Sequence, residues 1–142
     1  MGLLQGMMGN YNEIPVEQLM SNYGGFLATN EKFTLGLQLI RDMVLFTDRR
    51  IIFLDKQGMT GSKKRVDSVY LNSIVDVTLE TPGVGLDDSE LTFTYIITPY
   101  QRAHNVQYAT KTLEFAKKFN VLGLYRYFLD LVFHNRSRIN GF

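Results

Sequence analysis

The chain has 142 residues, 45% of them hydrophobic and 20% charged, which suits one globular domain able to bury its own core. It holds no cysteine, and 15 lysines and arginines stand against 14 acidic residues. Disulfides, thiolate catalysis and cysteine-ligated zinc are excluded, and no strong global field draws the protein onto nucleic acid or an anionic bilayer.

The opening MGLLQGMMGN is apolar, but it has no basic residue before the apolar part and is shorter than a signal peptide. Gly6 stands where a myristoylation signal requires serine or threonine. Leu3, Leu4, Met7 and Met8 are therefore expected to pack on the domain or on a neighbouring subunit, and a cytoplasmic setting is the expectation. Pro15 followed by VEQLMSNY predicts a short helix, with Val16, Leu19, Met20 and Tyr23 on one face and Gly24-Gly25 as its stop. From Phe33 the period becomes two. Phe33, Leu35, Leu37 and Leu39 alternate with Thr34, Gly36 and Gln38, the pattern of a half-buried strand. Met43 to Phe46 and Arg50 to Leu54, separated by Thr47, Asp48 and Arg49, predict a hairpin. Asp48 and Asp55 are the expected partners of Arg49 and Arg50, in ion pairs that set its register.

Gly58 and Gly61 predict a turn, with Lys63, Lys64 and Arg65 solvated at its far side. Strands are expected from Val66 to Leu71 and from Ile74 to Thr81, the second ended by Pro82, Gly83 and Gly85. Leu91, Phe93, Tyr95 and Ile97 give another alternation, closed by Pro99. Val106 to Lys117 is assigned as strand, although Leu113 and Phe115 also fit the start of a helix. Asn120 suits the N-cap of VLGLYRYFLDLVFHN, in which Val121, Leu124, Tyr125, Phe128, Leu129 and Val132 form a wide apolar stripe. Successive antiparallel strands followed by one amphipathic helix describe a sandwich or partly open barrel with the helix over one open side. The expected organisation of residues 1–142 is one domain: an arm and short helix over 1–30, a β-sandwich over 31–119 and a capping helix over 120–135.

The residues that carry chemistry are sparse. His104 and His134 are far apart and fit no metal-ligand spacing, and His134 lies near a helix carboxyl end that favours positive charge. Asp87, Asp88 and Glu90 lack the spacing of a calcium loop. The serines lack a nucleophile elbow, and neither lysine nor a helix start follows Gly83 and Gly85 as a phosphate cradle requires. No catalytic residue, metal or cofactor is predicted.

The segment RDMVLFTDRRIIFLDKQGMTGSKK, with the opening MGLLQGMMGN, the alternation around LETPG and the final helix, resembles the bacterial pleckstrin-homology (PH) domain family. The likeness covers nearly the whole chain, is most specific between Arg41 and Ser62, and weakens between Tyr100 and Ala109. It implies a seven-stranded, strongly bent sheet sandwich capped by a carboxyl-terminal helix, and closed homo-oligomeric rings. Eukaryotic PH domains hold inositol phosphates through basic residues in the loop joining their first two strands. Here that loop, Ile40 to Met43, offers Arg41 beside Asp42. Lys63, Lys64 and Arg65 remain a candidate anion or lipid contact, each basic residue contributing about 1 kcal/mol near an anionic surface.

The leading expectation is a non-enzymatic, self-associating module that binds a protein or peptide by strand addition or in a groove beside the last helix. Candidate contacts are Leu3, Leu4, Met7, Met8, Tyr125, Tyr127 and Phe128. Tyr11, Tyr23, Tyr100 and Tyr108, with Tyr127, exceed what a small core should absorb and suit an interface.

Overall fold

The computed structural model describes residues 13–40, 42–55, 65–81, 88–116 and 119–141. A two-residue strand β1 (Glu13–Ile14) leads into helix α1 (Val16–Tyr23) and a 3-10 turn at Gly24–Phe26. Four strands follow: β2 (Phe33–Gln38), β3 (Asp42–Thr47), β4 (Arg50–Asp55) and β5 (Val66–Tyr70). With β1 they form a five-stranded antiparallel sheet in the order β1-β2-β3-β4-β5. A 3-10 turn at Leu71–Ser73 turns the chain into β6 (Ile74–Glu80), β7 (Ser89–Ile96) and β8 (Tyr108–Phe115), a second antiparallel sheet in that order. Helix α2 (Val121–Asn140) ends the fold. No described helix is long and apolar enough to cross a membrane.

Burial explains why the middle strands read as apolar runs. Leu35, Leu37, Val44, Phe46, Ile51 and Phe53 face the second sheet and α2 in the main core. Phe33, Leu45, Ile52 and Leu54 point the other way and pack beneath Leu19 of α1. A sheet covered on both faces buries every residue of its central strands, so alternation disappears there. Close approach is built into β2: a Cβ on Gly36 would stand 2.6 Å from Leu19 Cδ2. The predicted face of α1 is accordingly narrower than expected. Leu19 alone on the helix is fully buried, while Val16 and Met20 are exposed.

Helix α2 runs further than the sequence pattern suggests, to Asn140, and Gly141 ends it in the left-handed conformation at φ 82°. That conformation favours glycine, and Gly141 N donates to Ser137 O at 2.9 Å. Asn120 precedes the helix but makes no side-chain capping bond. Beyond the apolar stripe the helix buries Asn135, whose Nδ2 donates to Leu71 O and Ile74 O at 2.8 Å each. This satisfies two carbonyls at the turn that joins the sheets.

The hairpin ion pairs differ from expectation. Arg50 bonds to Glu31, with Nε to Oε2 at 2.8 Å and Nη2 to Oε1 at 3.1 Å, in the fork geometry suited to a carboxylate. Its other donors reach Ser68 Oγ at 2.7 Å and Phe26 O. Thr47 Oγ1 donates to Glu31 Oε2 at 2.6 Å, and Ala28 N to Oε1 at 2.8 Å. The Asp48 carboxylate instead accepts from Lys32 N at 3.1 Å, and Asp55 lies opposite Asp42 in the ladder. Glu31 is distant from the hairpin in sequence, so pattern reasoning pairs Arg50 with nearer acids. The Arg50 bond holds the Glu31 carboxyl down to about 2, with Thr47 and Ala28 assisting against the cost of burial.

Candidate partner-binding surfaces

Of the predicted basic cluster, Arg65 is described; Lys63 and Lys64 lie outside the described residues. Arg65 Nε bonds both carboxylate oxygens of Asp67 at 3.1 Å. The pair borders a cleft of about 270 Å³ at the open corner between the sheets, lined also by Asp42, Phe53, Leu54, Lys111 and Thr112. Lys111 Nζ sits 4.7 Å from the centre of the Phe53 ring, a cation–π contact. Among the described residues, two cations thus face two carboxylates at this corner.

The helix positions require a correction. Tyr127 and Phe128 are 1% and 0% exposed and belong to the main core. Phe128 stacks on Phe93 at 4.8 Å between ring centres, and Tyr127 meets Phe46 edge-on at 5.8 Å. Neither ring is available to a partner in this domain. Tyr125 is half-buried against the same core. The outward side of α2 instead presents Leu122 and Phe133, 62% and 64% exposed. They are eleven residues apart, three turns along one face, a spacing that a helical projection makes visible. Leu3, Leu4, Met7 and Met8 lie outside the described residues, as does Tyr11.

The three-stranded sheet has two unlike edges. Beside β6 runs α2, whose Arg136 Nε donates to Val75 O at 2.7 Å. At the other edge β8 pairs with β7 from Tyr108 to Phe115 and with no further described strand. Along it Tyr108, Thr110 and Thr112 are exposed, and Thr112 shares a hydroxyl hydrogen bond with Thr92 at 2.9 Å. Tyr100 is likewise exposed, whereas Tyr23 is half-buried and stacks on Phe26. His104 and His134 are both exposed. Among the described residues no three histidine, cysteine or acidic side chains assemble into a metal-binding group.

Two antiparallel sheets packed about one core, bent at a corner and capped by a carboxyl-terminal helix, define a PH-like domain. The sequence profile of the bacterial PH domain matches residues 2–132. The chain belongs to that family. It is similar to the uncharacterized protein YjqA of Bacillus subtilis (strain 168), with 36% identity over 91 residues covering 64% of this chain and 73% of that one. Its fold is similar to a crystal structure of a pleckstrin-homology domain from Shewanella amazonensis SB2B, at TM-score 0.62 and 29% identity, covering 92% of this chain and 98% of that one. A DUF1696-family protein with a pleckstrin-homology domain from Shewanella loihica PV-4 gives TM-score 0.62 and 28% identity, over 84% and 95% of the two chains. Members of this domain class are generally non-enzymatic interaction modules for protein or lipid.

Proposed function

We propose that the chain is a non-catalytic, self-associating scaffold module of the cytoplasm that binds a protein or peptide partner by strand addition along β8. The observation that carries this reading is the asymmetry of the second sheet. Its β6 edge lies beside α2, whereas β8, eight residues long, pairs with β7 alone among the described strands. An edge with no further described strand beside it offers backbone donors and acceptors, which an extended segment of a partner or of a second copy can pair. Exposed Tyr108 beside it adds the aromatic area common at interfaces. Self-association would multiply weak individual sites through avidity. The balance of charge among the described residues at the sheet corner supports this reading over lipid head-group binding.

Light scattering coupled to size exclusion, over a dilution series, tests the proposal. The full chain is expected to form a defined oligomer. The double variant Thr110→Lys and Thr112→Lys places charges along the edge, and is expected to lower the mass while keeping the melting temperature. A full chain that stays monomeric at every concentration removes self-association from the proposal. An oligomer unchanged in the variant removes β8 as the contact.

A further inference from the structure

On the outer face of the second sheet, away from the core, lies a groove of about 440 Å³ bounded by Val75, Asp76, Ile96, Tyr108, Arg136 and Ile139, among others. Its apolar floor is unusual for a sheet face turned away from the core. Val75 and Ile96 are 9% and 7% exposed, belong to neither core cluster and line the groove. Ile139 of the last helical turn forms one wall, and Tyr108, opposite Ile96 in the ladder, stands on the other side.

The walls are held in place before any ligand arrives. Arg138 Nη2 donates to Asn72 O at 2.7 Å and to Gln101 Oε1 at 2.8 Å, tying the β7–β8 connection to the helix end. Gln101 Nε2 donates to Asn72 O at 3.2 Å, and Asn140 Nδ2 to Arg136 O at 2.8 Å. Such fixed walls reduce the ordering cost of binding. Arg136 is anchored through Nε alone, on Val75 O at 2.7 Å, and its Nη atoms have no hydrogen-bond partner among the described residues. A guanidinium held in this way presents a ready fork to a carboxylate. The groove also holds one carboxylate, Asp76, whose Oδ1 accepts from Val77 N at 2.9 Å, so the Nη atoms of Arg136 rather than a net positive charge would recognise an acidic group.

We infer that this groove binds an extended acidic peptide, seating an apolar side chain on Val75 and Ile96 and a neighbouring carboxylate on Arg136. A peptide is favoured over a small molecule because Ile97 and Tyr100, on the connection that follows β7, are exposed apolar side chains beyond the groove's lining. The site meets the β8 edge at Tyr108 but differs from strand addition: it spans the face of the sheet to α2, and its charge contact lies at the β6 side. It therefore adds a second binding surface to the module proposed above.

The test is fluorescence anisotropy at low salt with the full chain and a labelled hexapeptide, Gly-Leu-Phe-Asp-Glu-Gly, against its amide counterpart Gly-Leu-Phe-Asn-Gln-Gly. The acidic peptide is expected to bind saturably, and at least tenfold more tightly than the amide. Arg136→Gln is expected to erase that difference. Tyr108→Ser, a change at an exposed position, is expected to weaken both peptides while leaving the fold intact. Equal affinity for the two peptides, an undiminished difference in Arg136→Gln with a native melting temperature, or no saturable binding up to millimolar peptide overturns the inference. The Thr110→Lys and Thr112→Lys variant separates the two surfaces. In that variant, retained peptide binding with lost self-association supports both surfaces, whereas retained self-association removes β8 and leaves this groove to be judged by the lost discrimination in Arg136→Gln.

Discussion

Replacing Glu31 by glutamine isolates the most consequential polar interaction in the fold. The carboxylate is buried and bonded by Arg50, Thr47 and Ala28, and its pKa falls from 4.5 to about 2. Because the folded value is depressed, the stabilisation is fully present above about pH 5 and is lost as pH falls through 2. That fall corresponds to about 3 kcal/mol at neutral pH. At pH 3 the same linkage leaves about 1 kcal/mol, since the unfolded carboxyl is then mostly protonated. Glu31→Gln also leaves the Arg50 guanidinium without its counter-charge, a loss typically costing about 3–5 kcal/mol at a buried pair. Guanidinium unfolding of both proteins at pH 7 and pH 3 measures the difference. The expected gap is about 3 kcal/mol at pH 7, narrowing by about 2 kcal/mol at pH 3. A gap below 1 kcal/mol at pH 7, or one that does not narrow in acid, would refute the ion pair as the source of stability.

Other changes probe separate parts of the structure. Tyr127 is buried, its hydroxyl has no hydrogen-bond partner among the described residues, and burial pushes its pKa up. Tyr127→Phe should leave stability unchanged or raise it by about 1 kcal/mol in urea unfolding, and a loss larger than that would show that the hydroxyl is satisfied. Gly36→Ala places a methyl 2.6 Å from Leu19 Cδ2 and 3.2 Å from its Cγ. The overpacking should cost about 1–3 kcal/mol in the same assay, with an unchanged midpoint refuting the close approach of α1 to β2. In vesicle flotation at low salt, recovery with neutral and anionic lipid should be equal, because Arg65 is paired with Asp67 and the charges of the described corner residues balance. Selective recovery with anionic vesicles would return Lys63, Lys64 and Arg65 to the list of binding residues.

What the sequence determined by itself was the local structure. The alternation at Phe33–Leu39 and Leu91–Ile97, the separation of the two strands around Asp48 and Arg49, and the stripe beginning at Val121 each arise from neighbours a few residues apart. Their periods survive folding, so the strand and helix assignments and the PH-like architecture are legible. The site was less so. Tyr127 and Phe128 look like an aromatic contact surface in one dimension, but Phe46 and Phe93 approach from two different sheets and enclose them. Arg50 finds Glu31 nineteen positions away, beyond the range at which a hairpin pattern suggests partners. The groove joins Val75, Ile96, Tyr108 and Arg136, residues on three strands and a helix that no local spacing relates. Periodicity reports which side of an element is apolar, whereas tertiary packing decides what covers that side, and the covering separates core from binding surface.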